Sequence, residues 1–261
     1  MQLDIGMVFS SLIGLFLLMG VGWVSVKTKI VPPAASAPMS SLLLKVTLPC
    51  TIFSSLATRE FDSAFLVDGV IIIVIGLVLF PLYAALSWGI SKVLKVPAGR
   101  RGIWSFGATF CNNGFMGFPV ALALFGEEGL ALAVMFGVPF NLLVYTLGVR
   151  MVCADCGTDA QPVNLVRTLL SNINIALILS LIFYVGQIPL PEALMTPVTH
   201  LSNVTTPLSM FVTGMALASG KGAELFRDKD AYTATGMRLI VVPLLTWAVM
   251  CLLPLSNPLH W

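Results

Sequence analysis

Residues 111–119 read Cys111-Asn112-Asn113-Gly114-Phe115-Met116-Gly117-Phe118-Pro119, in the middle of a stretch that carries no charge between Arg101 and Glu127. The stretch is long enough to cross a bilayer, whose core of roughly 30 Å needs about 20 mostly apolar residues. Its centre is poor material for a continuous helix. Gly accepts positive φ freely, Asn tolerates it better than most residues, and Pro119 suits the first turn of a new helix because its missing amide hydrogen is not needed there. The sequence therefore predicts a helix that opens at mid-membrane. Backbone can be non-helical at that depth only where protein covers it or where it lines a wet cavity. A half-helix restarting near Pro119 would aim free amides and the positive end of its dipole at that point, which favours an anion. Asn112 and Asn113 add side-chain donors, and Gly114 and Gly117 keep the backbone bare. The competing reading is a kinked helix whose glycines serve only close packing.

Outward from this stretch the chain is equally apolar. Its 261 residues are 57% hydrophobic and 10% charged, and the mean hydropathy is +0.96, values that a water-soluble domain of this size does not reach. Uncharged or nearly uncharged runs near 6–26, 38–58, 69–91, 102–126, 129–149, 168–187, 198–219 and 231–253 predict eight spans. They lack the alternation and length of barrel strands, so the fold class is all-α, a polytopic membrane protein.

The basic residues fit eight spans. Lys27, Lys29, Lys92, Lys95, Arg100, Arg101, Arg150, Arg167, Lys221, Arg227 and Lys229 fall on one side of that topology, against Arg59 on the other. Cytoplasmic loops collect positive charge, so the prediction is a multi-pass protein of the cell inner membrane with its N-terminus outside. Lys45 and Arg238 lie within spans and are expected to snorkel to the cytoplasmic surface. The first apolar run has no basic residue before it and no small-residue cleavage pattern after it, so it reads as a helix and not a signal peptide. A net charge of +2 gives no reason to expect a nucleic acid partner. Cys153 and Cys156 form a lone C-x-x-C without a second pair, which reads as ordinary thiols; no metal and no cofactor are expected.

An internal repeat is visible. Val46-Thr47-Leu48-Pro49-Cys50-Thr51-Ile52-Phe53 parallels Val204-Thr205-Thr206-Pro207-Leu208-Ser209-Met210-Phe211 at an offset of 158 residues, which also carries the first span close to the sixth. Pro81-Leu82 and Pro243-Leu244 pair less tightly, 162 apart. An odd number of helices before the second copy makes the copies inverted. The predicted organisation is a first five-helix repeat over 1–153 and an incomplete, three-helix second repeat over 162–261, lacking partners for spans four and five. Thr47, Pro49, Thr205 and Pro207, at the heart of the matching segments, join the candidate substrate-binding residues.

No Asp, Glu or His falls in the middle of a span. Proton and sodium couplers usually place an ionisable group there, and an intramembrane hydrolase needs an acid, base or metal, so the chain is not expected to be an enzyme.

Residues 112–149, NNGFMGFPVALALFGEEGLALAVMFGVPFNLLVYTLGV, resemble the fourth and fifth helices of the auxin efflux carrier family, which in bacteria includes malonate and malate permeases. LLLKVTLPCTIFSSLA, residues 42–57, is similar to its second helix. The resemblance implies ten helices in two inverted five-helix repeats, crossing broken helices four and nine around the substrate, and elevator-like alternating access. The family's crossover Asn matches Asn112, its Gly-x-Pro matches Gly117 and Pro119, and its Tyr-Thr-Leu matches Tyr145, Thr146 and Leu147. Asn141, four residues before Tyr145, would share its helix face. Plant members have Pro-Asn-Thr where this chain has Cys111-Asn112-Asn113, which argues against auxin as the solute. The family's ninth and tenth helices have no counterpart, so the sequence is expected to be a fragment or truncated reading frame, the alternative being that another chain supplies the missing part. The expected function is transport of a small organic anion such as a mono- or dicarboxylate, and the alternative is a non-transporting membrane subunit or inactive fragment. Expected partners are that anion and the lipid bilayer, with a homodimer as the assembly to test.

Overall fold

The computed structural model describes residues 5–156, 171–220 and 228–252. Among them every regular element is helical. We number them α1 (Ile5–Lys27), α2 (36–57), α3 (Ser63–Val93), α4 (Ala98–Thr109), α5 (113–125), α6 (127–156), α7 (Asn172–Gly186), α8 (Glu192–Ser219) and α9 (229–252). Arg167, Lys221 and Arg227, the first residues of the sixth predicted span, the linker residues 157–161 and the last residue of the eighth span lie outside the described residues, as does the side chain of Cys156.

Among the described residues, five helical stretches are long and apolar enough to cross a membrane: Phe9–Lys27, Pro33–Ala57, Ser63–Val93, Ala98–Asp155 and Lys229–Val249; Asn172–Gly186 is apolar but shorter. Their outward faces carry Phe16, Leu17, Val74, Val78, Ile178, Ile182, Leu239 and Trp247, all exposed. Contiguous apolar surface of this kind is stable against lipid and not against water.

The 58-residue stretch Ala98–Asp155 is not one rod. It opens after Thr109 and turns back at Gly126, whose φ of 65° is a left-handed conformation that glycine adopts without strain. The turn makes α5 and α6 antiparallel: a Cβ placed on Gly129 would meet the carbonyl of Ala121, and one on Gly137 would meet the ring of Phe118. The predicted fourth and fifth spans correspond to these pieces.

Prolines elsewhere leave their helices continuous. Short π-helical turns at Leu43–Thr47 and Met237–Val241 each end two residues before a proline, Pro49 and Pro243. A proline removes one amide and crowds the carbonyl four residues back. The wider turn makes room for the ring, and the freed carbonyl of Lys45 accepts from Asn172 Nδ2 of α7 at 3.2 Å.

The helices pack as two groups. In one, α1 lies alongside α8 while α2 packs on α7 and α8; in the other, α3, α4, α6 and α9 pack on one another. The α1–α8 approach is backbone to backbone: a Cβ on Gly22 would strike the carbonyl of Phe211, and one on Gly214 that of Met19. At one end of the molecule Asp155 accepts from the amides of Gly102 and Ile103 at 2.8 Å each, and Arg100 pairs with Asp228 and Asp230. At the other end Tyr184 Oη donates to the carbonyl of Asp62, and Arg59 approaches Glu128 at 3.6 Å. A buried apolar cluster including Leu48, Ile52, Phe65, Phe118, Met135, Leu177 and Tyr184 joins the groups.

Candidate functional site

The break occupies residues 110–112. Phe110 is extended (φ −100°, ψ 132°) and Asn112 is non-helical (φ −76°, ψ 68°). It sits at the leading edge of the predicted segment, so most of 111–119 is helix after all. A wide π turn, Asn113–Gly117, begins α5 and hands over to Phe118 and Pro119. Asn112 makes that start possible: its side-chain Oδ1 accepts from the amide of Phe115 at 3.2 Å, and its carbonyl accepts from the amides of Met116 and Gly117 at 3.2 Å. The amides of Asn113 and Gly114 precede the first turn and have no helical carbonyl to reach. They lie at the positive end of the α5 dipole.

Asn113 is 9% exposed and wedged between α5 and α6. Its Oδ1 stands where a Cβ on Gly117 would come within 2.8 Å, and its Nδ2 lies 3.6 Å from the Cβ position of Gly137. Bare backbone on both helices thus makes the slot for this amide. Pro119 is fully buried behind it.

In front of the break is a cavity of about 250 Å³. It gathers five of the residues singled out from sequence: Asn112, Asn113, Gly114, Asn141 and Tyr145. Asn141 and Tyr145 come from α6, where the helix widens into a π turn at Val144–Gly148, a distortion that recurs at functional positions. Leu44 and Leu48 of α2, together with Ile173 of α7, supply the opposite wall. The cavity therefore lies where the two helix groups meet. Its other walls include the rings of Phe115, Phe118 and Phe140 and the side chain of Cys111, none of which sequence reading selected. Bulky apolar residues on a transmembrane helix give no signal that separates a cavity wall from a packing contact.

Thr47, Pro49, Thr205 and Pro207 do not line this cavity. Thr47 and Thr205 are buried where α2 crosses α8, and Thr51 Oγ1 donates to Thr205 Oγ1 at 2.8 Å there. Ser54 Oγ donates to Ser202 Oγ at 3.2 Å along the same seam. Pro207 lies within continuous α8, and Pro49 borders a separate recess of about 320 Å³ with Lys45 and Asn172. The matched segments are thus a helix crossing satisfied by its own hydroxyls.

Arg238 also departs from expectation. Its Nη1 donates to the carbonyls of Gly107 and Phe110 at 2.9 and 2.7 Å, closing the exposed carbonyl end of α4. The side chain turns to the break, because carbonyls with no following turn are a stronger local attraction than the distant surface.

The sequence pattern of the membrane transport protein family matches residues 7–164 and 158–259. An uncharacterized transporter of Methanothermobacter thermautotrophicus is 25% identical over 212 residues, covering 80% of this chain and 67% of that protein. An uncharacterized transporter of Methanocaldococcus jannaschii is 27% identical over 186 residues, covering 69% of this chain and 59% of that one. The chain thus spans roughly three fifths to two thirds of the length of these relatives. With a family match that runs through nearly the whole sequence and an opened helix at the expected segment, the chain belongs to the membrane transport protein family, that of the auxin efflux carriers.

Proposed function

We propose that this membrane protein is a secondary carrier of a small organic anion, a mono- or dicarboxylate, which it holds in front of the break and moves by alternating access. One observation carries the reading: the amide end of α5, at Asn112, Asn113 and Gly114, borders a cavity at the junction of two helix groups. An amide end attracts negative charge without a formal cation, and the Asn112 side-chain Nδ2 is a further donor beside it. About 250 Å³ of mostly apolar lining with a few polar groups suits a solute of a few carbon atoms. Sliding one group past the other would open the junction to either side, as alternating access requires. The proposal includes eight passes with the N-terminus outside the inner membrane, and the inverted repeat organisation of 1–153 and 162–261. Binding and release need no bond chemistry, so no catalytic role is assigned.

Proteoliposomes holding the purified protein test this directly. The expected result is saturable uptake of at least one labelled mono- or dicarboxylate, reduced about tenfold or more by Asn112→Ala, the equivalent of ~1.4 kcal/mol of binding. If no member of the panel enters faster than into empty vesicles, the chain is better read as a non-transporting membrane subunit.

A further inference from the structure

The break exposes two backbone ends of opposite polarity, and the protein treats them differently. At the carbonyl end, the helical partner of the Gly107 carbonyl would be the amide of Cys111 and that of Phe110 the amide of Gly114. The chain opens before either bond can form, and both oxygens accept instead from Arg238 Nη1. Arg238 reaches them from α9, which packs against α4 through Met237, Trp104 and Ala108. Its depth matches: Arg238 is nine residues beyond Lys229, about 14 Å of helix, and the break is twelve beyond Ala98, about 18 Å. Both distances fall near the middle of a core of roughly 30 Å. None of the ion pairs among the described residues involves Arg238, so the carbonyls are its bonded partners there.

Carbonyls at the end of a half-helix deep in a membrane are what a dissociable inorganic cation coordinates in carriers with broken helices. Here they are already occupied by a cation that cannot leave. We infer that Arg238 is a tethered counter-cation, holding the place at the carbonyl end of α4 that a coupling sodium or potassium ion would take, so that the break keeps its shape without either ion. The arrangement also biases the site. With the negative end of α4 neutralised, the positive end of α5 is the uncompensated one, and it faces the cavity. That last consequence rests on the solute reading given above; the occupancy of the carbonyl end does not.

The test uses stability without any solute, which keeps it separate from the transport assay. Thermal unfolding of the purified full chain is followed in sodium, potassium and N-methylglucamine chloride at matched ionic strength. The wild-type midpoint is expected to be the same in all three salts. Arg238→Ala is expected to lower it by about 5 °C, the size expected when a charged hydrogen-bonding partner is lost from a chain of this length. Sodium or added guanidinium ion should restore more than half of that shift, and N-methylglucamine should restore none. Should the Ala variant fail to accumulate, Arg238→Lys replaces it and is expected to remain insensitive to sodium, since its ammonium is again a built-in cation. A wild-type midpoint raised by sodium or potassium over N-methylglucamine overturns the inference. So does an Ala variant that no small cation restores, or a Lys variant that sodium stabilises.

Discussion

Two polar places in this molecule look alike in sequence and differ in kind. The α2–α8 crossing carries Thr47, Thr51, Ser54, Ser202, Thr205 and Ser209; the break and the cavity in front of it carry Asn112, Asn113 and Asn141. At the crossing each hydroxyl donates within its own helix turn or across the seam, as Thr51 does to Thr205 and Thr213 to Ser209. Helices there stay whole, including the one that contains Pro207. At the break the chain gives up helical bonds, mends the carbonyl end with Arg238, and places the amide end of α5 and Asn112 at the border of a cavity. The difference teaches that polarity inside a membrane marks a binding place only when it is left over after the protein has satisfied itself.

The largest expected effect is on α8, the helix that forms the crossing, where it meets α1. Gly214→Ala would put a methyl into the Met19 carbonyl and push α1 off α8, costing about 3 kcal/mol in the manner of an overpacked core. Chemical or thermal unfolding should register this, while the protein that remains folded should bind solute with unchanged affinity. If the affinity falls with the stability, the two regions are not separate.

Asn112→Ala is expected to act the other way round. Loss of its bond to the Phe115 amide should cost only about 1 kcal/mol of stability, as loss of a helix cap does. Solute affinity should fall about tenfold or more, or ~1.4 kcal/mol. Equal, small losses in both would reduce Asn112 to a structural cap.

Thr51→Val sharpens the contrast further. It keeps the shape, removes the bond to Thr205 and should cost about 1 kcal/mol of stability with no change in affinity. Adding Thr205→Val should cost little more, because the bond between the two is already gone and the Thr205 hydroxyl keeps only its long bond to the Leu201 carbonyl.

The smallest effect belongs to the exposed tie between Arg100 and Asp228. The guanidinium's hydrogen bond holds the Asp228 carboxyl below the usual carboxylate range, helped by the Asp230 amide. A lowered carboxyl stabilises above its unfolded value of about 3.9 and loses that contribution as the pH falls through the folded value. Asp228→Asn should therefore flatten the acid limb of the stability profile below about pH 4 and leave solute binding at neutral pH unchanged.

The helical, membrane-embedded class was legible because it rests on composition over long stretches, which no local contact can overturn. The break was legible because Asn-Asn-Gly, with Pro119 behind it, conflicts with the apolar run around it, although the opening falls ahead of Asn113 and the glycines serve to seat that residue. Asn141 and Tyr145 came from a family motif and a four-residue spacing, and the structure places both at the cavity. Thr47 and Thr205 lie at the α2–α8 crossing and not at this cavity; a Ser or Thr on a transmembrane helix can bond its own preceding turn, which is invisible in sequence. Arg238 was assigned to the surface because its partners are backbone carbonyls 128 and 131 positions away, and no side-chain pattern announces an opened helix end.

Cys111 offers the most direct test, since it sits in the opened segment and borders the cavity. With Cys50, Cys153, Cys156 and Cys251 replaced by Ser, the rate at which a small polar thiol reagent modifies Cys111 would be measured with and without each member of the carboxylate panel. The account predicts that Cys111 reacts in the empty protein and that at least one carboxylate slows the reaction in a saturable way, an effect lost in Asn112→Ala. A thiol that does not react, or one that reacts at the same rate whatever carboxylate is present, would contradict a wet, solute-holding opening at this point of the chain.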